Sequence, residues 1–318
     1  MGLRAAFALL LSCSLSCPVA GAAVAEGLYE GTAHDALYGL CLEGSHGIAV
    51  GAYGLVVESL DGGQTWQQRA PFTETALLDV TCGEGPGLIV GQQGHIFRLE
   101  DQQYEAVESG TDARLLGVDS NADGLAVAVG GFGTVLRSAD GGRTWEALGF
   151  DWEAILNDFL EPHLYAVDVS PDGVITIVGE FELVLRSLDG GNSWDTVHQG
   201  EASLFSLDLR ADGQGYAVGQ KGRIIRTGDG GSSWSTLATP DEANLLDVWS
   251  GAGGDVLVSG IRTMLRSRDG GDSWESVAGG DLNTGWYQQL AVPAGEQMDT
   301  GYALLAGHRG RIISLNFE

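Results

Sequence analysis

Basic residues are scarce in this sequence: 16 lysines and arginines stand against 43 aspartates and glutamates, and Lys221 is the single lysine. A nucleic-acid backbone is held by clustered cations on a basic face, so a formal charge of −27 excludes nucleic acid as a partner. Cysteine is also rare, with four in 318 residues. The six histidines form no H-E-x-x-H or other metal spacing, and no P-loop or dinucleotide fingerprint occurs, so neither a metal nor a cofactor is expected. No apolar run reaches the ~20 residues of a spanning helix, which argues against membrane insertion. Glycine, by contrast, is abundant at 50 residues, but 44% hydrophobic content excludes disorder and collagen.

Arg4 precedes an apolar run from Ala5 to Leu15, followed by small residues up to Ala23-Val24-Ala25. This has the form of a secretory signal cut after Ala25, with residues 26–318 as the exported chain. A lipoprotein cut before Cys13 would leave a very short apolar region. Cys13 and Cys17 leave with the signal. Cys41 and Cys82 then sit in an oxidising compartment, where a bridge between neighbouring repeats is open to them.

Internal repetition is the dominant feature. The phrase S/T-x-D-G-G-x-S/T-W occurs five times, from Ser59 to Trp66, Ser138 to Trp145, Ser187 to Trp194, Thr227 to Trp234 and Ser267 to Trp274. A decayed copy ends at Tyr104, and a seventh run, Gly307 to Ile313, lacks its Trp phrase. Each is preceded by a G-x-x-G-like turn and an apolar strand, and the units are 39 to 49 residues apart. Seven such units predict an all-β, seven-bladed propeller of four-stranded blades. Leu245 to Val248, Gly215 to Val218, Arg223 to Arg226 and Trp234 to Leu237 illustrate the four strand positions. The last unit ends without an outer strand, and Ala25 to Gly31 can supply it, closing the ring without an exposed edge.

The repeated phrase reads as a folding device. Its aspartates (Asp61, Asp140, Asp189, Asp229, Asp269) accept turn N–H groups, and its tryptophans (Trp66, Trp145, Trp194, Trp234, Trp274) cover the hairpins. The phrase resembles the Asp-box, or BNR, repeat. The composite G-x-x-G-x-[IV]-L-R-S-x-D-G-G-x-[ST]-W, seen from Gly130 to Trp145, is similar to the photosystem II assembly and stability factor family. That resemblance implies a non-catalytic propeller in the periplasm, or in the lumen of a photosynthetic host, that binds membrane-protein subunits or their exported segments.

Function is expected on the face that carries the G-x-x-G turns, opposite the repeated hairpins. The third turn residue reads Tyr53, Gln93, Phe132, Phe181, Lys221, Arg262 and Arg309 around the ring. The cations, with Arg223, His308 and Arg311, form a basic arc that either pairs with nearby carboxylates or docks a partner. The family's arginine patch suggests the second role. Arg98, Arg137, Arg186, Arg226 and Arg266 occupy one phase of the third strand and are expected to pair with inner-strand aspartates such as Asp119, Asp168 and Asp208. The stretch from Asp151 to Pro162 predicts a short helix with an apolar stripe at Trp152, Ile155, Leu156, Phe159 and Leu160, either packed on the ring or open to a partner segment. The expected molecule is a monomeric binding scaffold with no catalytic residues. The alternative is an Asp-box carbohydrate hydrolase, such as a sialidase-like glycosidase, but the F-R-I-P signature of sialidases is absent.

Overall fold

Each repeat alternates apolar residues between glycine-bearing turns, and the resulting strands pair with their sequence neighbours, the N-terminal strand excepted. The computed structural model describes residues 21–317 apart from 83, 84, 86, 101, 102, 241 and 294–300. Blade 3 shows the common plan: Leu115–Ser120, Ala126–Gly130, Val135–Ser138 and Glu146–Ala147 pair antiparallel in chain order. The inner strands of the seven blades are Leu37–Glu43, Leu77–Thr81, Leu115–Ser120, Leu164–Val169, Leu204–Leu209, Leu245–Ser250 and Tyr287–Ala291. Each packs on the next, and the last packs on the first, so the ring is closed.

Blade 7 consists of Tyr287–Ala291, Tyr302–Gly307, Ile312–Phe317 and the N-terminal strand Gly21–Tyr29. The closing strand therefore starts at Gly21 and not at Ala25. Ala23 and Val24 pair with Phe317 and Asn316, covering the end of a strand that would otherwise be an open edge. Residues 1–20 of the expected signal lie outside the described residues.

The core lies between blades. Leu37, Leu77, Leu115, Leu164, Leu204 and Leu245, the first residues of six inner strands, are all fully buried. Burial of one such side chain contributes roughly 1.5–3 kcal/mol, which makes the start of the inner strand a strong determinant of the ring. Cys41 and Cys82 form a disulfide that joins the inner strand of blade 1 to the chain just after that of blade 2.

All five intact phrases fold into the same hairpin. In blade 3, Ser138 Oγ donates to Asp140 Oδ1 (2.8 Å) and accepts from Gly142 N (2.9 Å). Asp140 also accepts from Thr144 N (2.9 Å) and Thr144 Oγ1 (2.7 Å). The equivalent bonds, led by the hydroxyl of Thr65, Ser193 or Ser233, favour the ionised carboxyl and hold Asp61, Asp189 and Asp229 down to about 2. Gly142 has φ +78°, and a Cβ there would lie 2.6 Å from Leu88 of blade 2, so the second glycine is required twice over.

Among the described residues no ion pair joins the arginine ladder to the inner-strand aspartates. Arg98, Arg137 and Arg226 instead donate to the carbonyls of Gly141, Gly190 and Gly270 in the hairpin of the following blade, at 2.8–2.9 Å. Arg266 pairs with Asp255 of its own blade at 3.2 Å and lies over the Phe317 ring. The third strand puts these guanidinium groups at the hairpin end of the blade. The aspartates have other partners around the ring: Asp79 accepts from Val118 N, Asp119 from Val169 N, Asp208 from Ser250 N and Asp247 from Leu290 N, all at 2.7–2.9 Å. Carboxylate-to-backbone bonds thus tie each of these blades to the next near the axis, and arginine-to-carbonyl bonds do so at one end.

Candidate functional site: the face of the G-x-x-G turns

The turn between the second and third strands and the connection to the next blade share one face and are bonded to each other. Gly133 N donates to Pro162 O (2.8 Å), Gly222 N to Ala243 O (2.7 Å) and Arg262 N to Gly285 O (2.8 Å). The third turn residue has a left-handed backbone in every blade: Tyr53, Gln93, Phe132, Phe181, Lys221, Arg262 and Arg309 have φ between 55° and 62°. That conformation costs a side chain with a Cβ about 1–2 kcal/mol, and glycine or asparagine relieves it. No blade uses either residue. Tyr53 and Phe132 are 70% and 68% exposed, so large side chains are held outward at positions where backbone preference alone selects small ones.

The basic arc separates into paired and unpaired cations. Arg309 and Arg311 meet Glu30, just after the closing strand, at 3.4 and 2.9 Å. Arg311 and His308 also face Asp281, at 2.5 and 3.0 Å. Burial raises the Asp281 carboxyl, but Tyr287, His308 and Arg311 outweigh it and hold the group below its usual value. Arg223 pairs with Glu182 at 3.0 Å. Lys221 and Arg262 are exposed and meet no carboxylate among the described residues.

Glu182 replaces the glycine at the fourth position of the turn in blade 4. It is 4% exposed, left-handed at φ 47°, and faces His198 at 3.2 Å as well as Arg223. This cluster fixes the turn that carries Phe181 to the connection between blades 4 and 5, and Ala202 N donates to its carboxylate.

The helix of the long insertion is shorter than the spacing predicts. It spans Trp152–Leu156, capped by Asp151, and ends where Asn157 turns left-handed at φ 53°. Asparagine tolerates that conformation, and the turn removes Phe159 and Leu160 from the helical stripe. Trp152 is 9% exposed, stacks on Phe150 at 4.8 Å and lies against Gly133, where a Cβ would come within 2.1 Å of its Nε1. It therefore anchors the insertion. Phe159 and Leu160, the end of the expected stripe, are 86% and 49% exposed.

A second group that sequence reasoning missed lies at the axis. In every inner strand the second residue is a bulge, skipped in the pairing with its neighbour. A bulge re-aims its side chain. Tyr38, Leu78, Leu116, Tyr165, Phe205 and Leu246, with Gln288 of blade 7, thereby converge on a cavity of about 310 Å³ at the channel mouth on this face. Aromatic contacts run from the rim to that mouth: Phe132 to His163 (5.2 Å), His163 to Tyr165 (6.4 Å) and Tyr165 to Phe205 (5.1 Å). The opposite face carries Leu60 and Leu188, exposed singly at the hairpin tips.

The fold and this repeat define a class: the chain is a seven-bladed BNR-repeat propeller with an aromatic and cationic turn face. Residues 96–202 match the family described as photosynthesis system II assembly factor YCF48. The chain is similar to the solved structure of YCF48 bound to a D1 peptide, with 19% identity and a TM-score of 0.71 over 96% of this chain and 100% of that one. It is also similar to YCF48 from Cyanidioschyzon merolae, with 18% identity and a TM-score of 0.72 over 92% and 98% of the two chains. The WD40 repeats of RRP9 superpose about as well, with a TM-score of 0.70 at 11% identity over 95% and 100%. Fold likeness alone therefore does not separate these proteins, and the family match lies within residues 96–202. No curated protein matches this sequence.

Proposed function

We propose that this protein is an exported, monomeric, non-catalytic scaffold that assists assembly of an envelope membrane complex, and that it holds an exported segment of a membrane-protein subunit on its turn face. Residues 1–25 are its cleaved signal, so the exported chain keeps Glu26 to Tyr29 of the closing strand, paired with Ser314, Ile313 and Ile312, and loses the pairs of Ala23 and Val24; its compartment is the periplasm, or the lumen in a photosynthetic host. The observation that carries this reading is the set of seven left-handed turn positions occupied by aromatic, amide and cationic side chains around one apolar channel mouth. The related YCF48 structure bound to a D1 peptide supports it, as does the YCF48 family match across blades 2 to 4.

Lys221 and Arg262 are the cations free for docking, whereas Arg309 and Arg311 bind Glu30 beside the N-terminal closure, and Arg311 and His308 bind Asp281 of the connection between blades 6 and 7. The test is affinity capture from host envelope membranes with the wild type and with the double variant Lys221→Glu/Arg262→Glu. Loss of the captured membrane subunit at an unchanged melting temperature is expected. Unchanged capture, or robust turnover of sialosides or polysaccharides by the wild type, overturns the proposal.

A further inference from the structure

The insertion of blade 3 has a charge opposite to that of the basic arc. Between Phe150 and Pro162 it contains Asp151, Glu153, Asp158 and Glu161 and no basic residue. Asp151 is used in capping the helix. Glu153, Asp158 and Glu161 are exposed and meet no basic group among the described residues. The insertion is held at several points: Trp152 fills the space over Gly133, Gln199 Nε2 donates to Ile155 O at 2.9 Å, and Gly133 N donates to Pro162 O. Phe159 and Leu160 therefore project from an anchored base.

We infer that Phe159, Leu160 and Phe132, with Asp158 and Glu161 beside them, dock a partner segment in which lysine or arginine alternates with bulky apolar residues. The inference rests on the docking role proposed for this face and specifies the chemistry of its occupant. Exposed apolar side chains exclude water over the contact, and flanking carboxylates select cations and repel acidic segments. The aromatic contacts from Phe132 through His163 and Tyr165 to Phe205 continue the apolar surface to the channel mouth, which accepts one large apolar side chain. A segment lying on this path places its cations over blade 3 and directs any acidic residues toward Lys221 and Arg262. The face thus sets the direction of the bound segment as well as its composition.

The test uses two fluorescein-labelled peptides of equal length and lysine count, one with Phe and Leu between the lysines and one with Ser in their place. Fluorescence anisotropy is read near physiological salt, where the screening length is about 8 Å and distant charges contribute little. The apolar peptide is expected to bind at least tenfold more tightly than the serine peptide. Phe159→Ser/Leu160→Ser should abolish that difference, and Asp158→Asn/Glu161→Gln should weaken the apolar peptide severalfold. Glu105→Gln/Asp195→Asn, an equal charge change on exposed outer-strand positions, should leave binding unchanged.

Equal weakening by the outer-strand variant would reduce the effect to bulk charge and overturn the inference. So would insensitivity to Phe159→Ser/Leu160→Ser, or binding to phosphatidylcholine vesicles that is lost in that variant, which would assign the tip to lipid. If the peptide test fails while Lys221→Glu/Arg262→Glu still abolishes envelope capture, only the chemistry of the occupant falls. If both fail, the docking face itself is misplaced.

Discussion

At the scale of single residues, the repeated phrase and the turn face obey opposite rules. In the hairpins the Ser/Thr and Asp side chains are used internally. Ser138 is 2% exposed and serves the Asp140 carboxylate and the Gly142 N–H at once. Ser138→Ala leaves that buried N–H without a partner, an expected loss of about 1–3 kcal/mol that a urea unfolding midpoint measures. Ser138→Thr should be nearly neutral, because Thr227 makes the same bonds in blade 5. An unchanged midpoint for Ser138→Ala would contradict the structural role of the phrase. The phrase was legible because D-G-G-x-S/T-W states its chemistry directly. The seven outward turn residues were legible for another reason: they vary while the turn around them repeats.

At the scale of elements, legibility was partial. Strand order and blade number followed from the repeat spacing, since each blade pairs within itself apart from the N-terminal strand, whose start also meets the outer strand of blade 6. The insertion was read as one long stripe because periodicity alone cannot register a single left-handed residue. Asn157 ends the helix, so the two roles open to the stripe divide within it: Trp152 packs as an anchor and Phe159 is exposed. The bulges at the second position of the inner strands left no sequence mark either. Leu245-Leu246-Asp247-Val248 reads as an even strand, yet Leu246 is skipped in the pairing and faces the channel. The arginine ladder was correctly seen as structural in its regularity, but its partners depend on which end of the blade the third strand reaches, and that is a property of the assembled ring.

At the scale of the whole molecule, two populations of aspartate set an unusual dependence on pH. Burial pushes Asp79 and Asp247 up to about 7 and Asp119 up to about 6, above the ordinary carboxylate range. A pKa raised on folding favours the folded state when the group is protonated, so this contribution is complete below about pH 4 and disappears as pH rises through 6 to 7. The hairpin aspartates at about 2 act in the other direction: their contribution is present above about pH 4 and is lost as pH falls toward 2. Repulsion within a chain of charge −27 also weakens as pH falls. The melting temperature is therefore expected to be higher at pH 5 than at pH 8 and to drop again below pH 3. Asp79→Asn should flatten the decline between pH 5 and 8. A melting temperature that climbs steadily up to pH 8 would contradict this assignment.

The two faces of the ring can be compared directly because each carries an exposed apolar side chain in an equivalent hairpin or turn. Phe132 is 68% exposed on the turn face and Leu188 is 63% exposed on the hairpin face. The most direct measurement is photo-crosslinking in the native envelope, with a photoreactive amino acid placed at Phe132 in one variant and at Leu188 in another. A membrane-protein adduct at position 132 with none at 188 is the result expected if the turns recognise and the hairpins only pack. An adduct at 188 with none at 132 would contradict it.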